Sequence, residues 1–189
     1  MKFKLVLFLN IFVINIISSD LQFMEAITNN NVNALQNLIY NSPEDLEEVV
    51  NKKVGSYSLL ERAVMEGSKD VVEFLILNGV DVNFDNGSAL LFANALNQLE
   101  IAELLLKQGN ANPNLVNKSG KFPLGSAIFN PAMVKLLIEY GADVSEKLDG
   151  KPLFDCAESY PATAAEIKNL LTNAKQIRKA KLERDKKSA

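Results

Sequence analysis

The feature that most constrains this chain is a recurring pair of helical patterns, each too short to stand alone. Leu60 to Asn83 reads LERAVMEGSKDVVEFLILNGVDVN. Leu60, Ala63 and Val64 fall at i, i+3 and i+4 and share one narrow face of a first helix. Glu66-Gly67-Ser68 interrupts that face, and Asp70 sets a carboxylate at the positive end of a second helix. Val71, Val72, Phe74, Leu75 and Ile76 then form a broad apolar stripe, which Asn78-Gly79 closes with a left-handed turn. Helices of this length are marginal in water, because the first hydrogen-bonded turn is costly to nucleate. The unit must stack against copies of itself.

The copies follow. Leu90 to Asn114 sets Leu90, Ala93, Ile101, Leu104, Leu105 and Gly109 where the first unit has Leu60, Ala63, Val71, Phe74, Leu75 and Gly79. Leu124 to Ser145 repeats the order through Ala127, Met133, Leu136, Leu137 and Gly141, and Leu153 to Leu171 gives a looser version. On this register Leu104 belongs to the second-helix core stripe, and Gly79, Gly109 and Gly141 are left-handed closures. The closures lie 30 and 32 residues apart, a spacing typical of repeat arrays. Glycine-containing turns precede the first helices at Asp85-Asn86-Gly87-Ser88, Ser119-Gly120-Lys121 and Asp149-Gly150-Lys151.

With Gly79-Val80-Asp81-Val82-Asn83, Gly141-Ala142-Asp143-Val144, Pro123-Leu124 and Pro152-Leu153 in place, the chain resembles the ankyrin-repeat family over about residues 21 to 173. The resemblance implies an all-α solenoid of stacked helix-turn-helix units with finger turns. The family motif's histidine is replaced by Glu61, Leu91, Gly125 and Phe154, so the hydrogen bonds it makes between repeats are not expected in that form.

In chain order, residues 1–19 read as an export signal. Lys2 and Lys4 precede the apolar run Leu5 to Ile17, and Ser18-Ser19 supplies small residues for cleavage. Those 13 apolar-run residues are fewer than the roughly 20 that span a bilayer. A half-degenerate capping repeat (20–52) comes next, with a short extra helix expected from Ser42-Pro43-Glu44-Asp45 to about Val50. Repeats at about 55–84, 85–117, 118–147 and 148–173 complete one repeat domain, followed by a basic helical or disordered tail at 174–189. Charge divides the same way: residues 20–173 carry 21 acids and 11 bases, whereas the tail carries seven Lys or Arg against Glu183 and Asp185.

Composition removes several kinds of chemistry. The absence of histidine excludes Ser-His-Asp and Cys-His catalysis and histidine-ligated metals. One cysteine, Cys156, makes neither an internal disulfide nor a metal site, and it is placed in the buried small-residue slot of Ala63, Ala93 and Ala127. No phosphate-cradling glycine motif is present. The acids Glu44, Asp45, Glu47 and Glu48 sit at a helix start, where they favour the macrodipole. No cofactor is expected. Asn86-Gly87-Ser88 and Asn117-Lys118-Ser119 are glycan acceptors only if the chain passes through a eukaryotic secretory route.

The leading function is therefore non-catalytic: an exported module, periplasmic or secreted and monomeric, that binds a protein partner. The resemblance places the contact on the concave side, through finger turns and positions late in the first helices. Carried onto this chain, these are Tyr57, Met65 and Glu66, then Phe84, Asp85, Ala95 and Leu96, then Lys118, Lys121 and Phe129. No nucleic-acid partner is expected. The alternative is a peripheral surface protein held to anionic lipid or polyanion by its basic tail, with weak membrane contact. A small carboxylate enzyme is a distant third.

Overall fold

The computed structural model describes residues 19–188, with side chains described through residue 179. The leader at 1–18 lies outside the described residues. The architecture is the all-α ankyrin-repeat solenoid class, with two-stranded hairpins as its only strands among the described residues. The chain divides after Asp81 into two compact units.

The first unit contains α1 (residues 19–28), α2 (Val32–Tyr40), α3 (Leu46–Val50), the hairpin β1 (Lys53–Val54) and β2 (Tyr57–Ser58), α4 (Leu59–Glu66) and α5 (Lys69–Leu77). Ile27, Leu35, Leu59, Leu60 and Leu75 are its largest fully buried side chains. Helix α4 starts with a reciprocal cap: Glu61 N–H donates to Ser58 Oγ at 3.1 Å, and Ser58 N–H donates to Glu61 Oε2 at 2.6 Å. Glu61, at the motif's histidine position, is thus buried as a capping residue. Ser68 Oγ donates to the Ile27 carbonyl at 2.5 Å, tying the α4–α5 turn to the end of α1. The extra helix is shorter than expected. It begins after Asp45, because Ser42 Oγ accepts from Glu44 N–H in a local turn and does not cap a helix.

The second unit contains α6 (Phe84–Ala95), α7 (Leu99–Lys107), α8 (Pro123–Ser126), α9 (Pro131–Glu139), the hairpin β3 (Lys147–Leu148) and β4 (Lys151–Pro152), α10 (Leu153–Cys156), a 3-10 turn at Ala157–Ser159, and α11 (Ala164–Ser188). Helix α6 opens with Asp85, Asn86 and Gly87 in left-handed conformation, at φ 47°, 57° and 73°, so its first part is a finger turn. Asp and Asn tolerate that region because their short polar side chains can bond locally.

The second helices of the three clear repeats bury the same face: Val71, Val72 and Leu75 in α5; Ile101, Ala102 and Leu105 in α7; Met133, Val134 and Leu137 in α9. Phe74, Leu104 and Leu136 are half-buried at the edge of that face. The core placement of Leu104 is corrected accordingly, since Leu105 points inward. Gly109 is a second correction. Gly79 and Gly141 close their helices at φ 82° and 89°, whereas Gly109 is not left-handed and Asn110, at φ 52°, makes the turn. Cys156 is a third. The helix tightens to 3-10 geometry at Ala157, which rotates Ala157 into the core and leaves Cys156 half-buried.

Asparagines join successive repeats where the histidine is missing. Asp81 N–H donates to Asn51 Oδ1 at 2.7 Å in the first unit. In the second, Asn112 N–H donates to Asn83 Oδ1 at 2.8 Å, and Asp143 N–H to Asn114 Oδ1 at 2.7 Å. Asn114 also donates through Nδ2 to the Gly141 carbonyl at 3.0 Å. A further Asn94 Nδ2 bond reaches the Pro123 carbonyl at 3.0 Å and lets a buried amide sit inside α6.

Helix α11 runs unbroken from the last repeat into the basic segment. Ile167 and Leu171 are buried against the repeats, and Arg178 Nη1 donates to Asp143 Oδ1. Ser145 donates to the same carboxylate through Oγ at 2.6 Å and N–H at 2.8 Å. Burial alone would raise the Asp143 carboxyl, but the bonds from Ser145 and Arg178 bring it from 3.8 down to about 2. A lowered folded value means that this contribution is complete above the ordinary value and disappears as pH falls through about 2. Amide exchange in the α11 turn around Arg178 is therefore expected to accelerate between those two pH values. Unchanged protection there would show that the ion pair does not hold the helix.

Candidate interaction surface

The residues expected at a partner surface fall into three groups. In the first unit, Tyr57 is half-buried on β2, with the Arg62 guanidinium carbon 5.3 Å from its ring centroid. Arg62 also reaches Glu66 at 3.9 Å. Met65 is half-buried on the same helix. Arg62, which joins Tyr57 to Glu66, has no sequence signal, because cation–π pairs follow no fixed spacing.

In the second unit the expected residues separate to opposite ends of the first helices. At the finger end, Lys118 Nζ lies 3.1 Å from Asp85 Oδ1, so these two neutralise each other. Asn117 Oδ1 accepts from both Ser119 N–H and Lys121 N–H at 2.9 Å, which shapes the turn that exposes Lys121. Phe84 is half-buried beneath the left-handed turn.

At the other end, Leu96 caps α6 and Phe129 follows α8, exposed to 48% and 40%. Ala95 beside Leu96 is exposed as well. Asn130 Nδ2 donates to Asn97 Oδ1 between the two turns. Tyr160, exposed to 41%, extends the row, with its ring centroid 5.9 Å from that of Phe129. Tyr160 follows the first helical segment of its repeat just as Leu96 and Phe129 do, and that equivalence was available in the sequence. Lys168 fixes the segment before it, donating to Glu158 Oε1 at 2.5 Å while lying 4.7 Å from the Phe154 ring centroid. The Lys168 hydrogen bond holds the Glu158 carboxyl below its ordinary range.

The turns bearing this row, Ala95 to Leu99, Phe129 to Ala132 and Tyr160 to Ala165, contain no charged residue. Burying them against another surface strips no ion of water, so the apolar gain is not offset by charge desolvation. The acids of α3 present a contrast: Glu44, Asp45, Glu47 and Glu48 are exposed to solvent and form no enclosed carboxylate pair.

A model of ankyrin repeats in three copies matches residues 23–117, 60–148 and 90–179. The chain belongs to the ankyrin-repeat family. It is similar to a putative ankyrin repeat protein of Rickettsia felis, at 34% identity over 131 residues, covering 57% of this chain and 57% of that protein. A putative ankyrin repeat protein of fowlpox virus is 30% identical over 129 residues, covering 47% and 38%. Alpha-latrotoxin-Lg1a of Latrodectus geometricus is 34% identical over 91 residues, covering 44% and 7%. The chain thus spans less than two thirds of these relatives' lengths. Ankyrin repeats generally mediate protein–protein interaction and are typically non-catalytic.

Proposed function

We propose that this ankyrin-repeat chain is a non-catalytic, exported interaction module that binds a protein partner through the edge formed by Leu96, Phe129 and Tyr160. The observation that carries the reading is this exposed apolar row on three charge-free turns, with Phe129 and Tyr160 in ring contact. Aromatic side chains dominate contact energies because they bury large areas at small entropy cost. Asp85 and Lys118 form the rim, and their mutual pairing makes them register contacts rather than energy sources. The basic start and short apolar core of residues 1–19 support export to a periplasm or the exterior.

The test captures partners from the native compartment with the wild type, Phe129→Ala and Tyr160→Ala, and follows thermal unfolding of each. Loss of about tenfold or more in capture, with unfolding little changed, is the expected result. Variants that unfold as readily as a core truncation would make the row part of the core. Variants that stay folded and capture normally would move the contact to another face. N-terminal sequencing of natively produced protein tests export separately: a product retaining residues 1–19 would defeat cleavage.

A further inference from the structure

Helix α11 carries a second surface with different chemistry. Its buried stripe, Ile167 and Leu171, continues through half-buried Ala174 to Arg178, whose guanidinium is engaged by Asp143 and lies 3.4 Å from Ser145 Oγ. Ile177 stands beside this contact and is 70% exposed. It borders a groove of about 530 Å³ whose aliphatic wall is Ile138, Ala142, Val144 and Ala174. Two carboxylates also line the groove, and both face cations: Asp143 meets Arg178, and Glu139 lies 4.0 Å from Lys135.

Beyond Arg178 the helix continues to Ser188. Positions 181 and 184, a lysine and an arginine, recur at i+4 and i+7 from Ile177 and so share its side. The acids at 183 and 185 fall off that side. Ten further residues carry the helix about 15 Å past Arg178. That exceeds the Debye length of roughly 8 Å at physiological salt, so the acidic repeats are screened from the far end.

We propose that this side of α11 docks on an anionic lipid surface, with Ile177 entering the headgroup boundary and Lys181 and Arg184 meeting lipid phosphates. Charge complementarity selects an anionic surface. The exposed isoleucine beside an aliphatic groove selects lipid over nucleic acid, because phosphates gain nothing from an apolar side chain. The Asp143–Arg178 pair anchors the helix so that these residues are presented together. The contact is peripheral: among the described residues no helix is long and apolar enough to cross a membrane.

Co-sedimentation of the full chain with phosphatidylcholine vesicles, with and without phosphatidylserine, tests the proposal. The apolar leader is kept in every variant and contributes equally. Binding is expected only to the vesicles containing phosphatidylserine and should fall as salt rises. Lys181→Gln with Arg184→Gln should weaken it roughly twentyfold, at about fivefold per cation. Ile177→Ser should weaken it several-fold at unchanged charge, while Phe129→Ala leaves it unchanged. Circular dichroism shows whether each variant keeps its helix, and a variant that loses it is replaced by Lys→Arg and Ile→Thr counterparts, scored in the same way. The assignment is overturned if the wild type does not bind the anionic vesicles. It is equally overturned if Ile177→Ser binds like the wild type and a DNA duplex is bound as tightly as the vesicles.

Discussion

Leu105→Ala is expected to remove about 2–5 kcal/mol of stability, the range for truncating a fully buried leucine that leaves a cavity. Leu105 lies in the face that α7 turns to the core, between buried Ile101, Ala102 and Leu106. A domain of this size commonly has only about 5–15 kcal/mol in total, so the loss is a large fraction. Leu104→Ala, one position earlier and half-buried, should cost about half as much. Urea unfolding decides between them through the midpoint at unchanged slope. Equal losses at the two positions would mean that the α7 face is rotated from the one described.

Gly125→Ala is expected to destabilise by about 1–3 kcal/mol through overpacking. An added Cβ would stand 2.7 Å from Phe122 Cζ, and Phe122 is buried and cannot swing away. Gly109→Ala belongs with it, because its Cβ would meet the Leu105 carbonyl oxygen and Val82 Cγ2, each at 2.8 Å. Gly79→Ala differs: its Cβ would enter open space, and its cost of about 1 kcal/mol comes from the left-handed backbone. Thermal unfolding of the three separates crowding from backbone strain. A Gly125→Ala protein as stable as the wild type would show that the Phe122 ring yields.

The repeat was legible because its signals are periodic. The Leu60, Ala63 and Val64 triad and its copies mark the first helices, and the joined copies leave few alternatives to a stacked array. The errors fall where neighbouring residues are chemically equivalent. Leu104, Leu105 and Leu106 form a run in which composition cannot say which two face inward; only the rotation of α7 decides. Gly109 looked like a closure because it answers Gly79, yet Asn110 takes the left-handed turn and Gly109 serves close packing. Cys156 was misplaced because a 3-10 turn is invisible to a pattern that assumes 3.6 residues per turn.

The candidate surface was legible in part. Leu96 and Phe129 were found from their position late in a first helix, and Tyr160 could have been added by the same rule. The Ser58-x-x-Glu61 cap was also written in the sequence, although Glu61 was noticed there only as a missing histidine. Distance between groups was not legible. Nothing in the spacing of Asp85 and Lys118 announces that they pair with each other, or that Arg178 reaches back 35 residues to Asp143.

The asparagine joints give the array an unusual relation to acidity. Histidine changes charge around pH 6.5, so a spine held by histidine would soften or reset as its surroundings acidify. An asparagine amide neither gains nor loses a proton over that range. The bonds from Asn51, Asn83 and Asn114 keep the same donors and acceptors on both sides of neutrality. A chain with no histidine at all therefore carries joints indifferent to the mildly acidic conditions that would unlock a histidine-held spine.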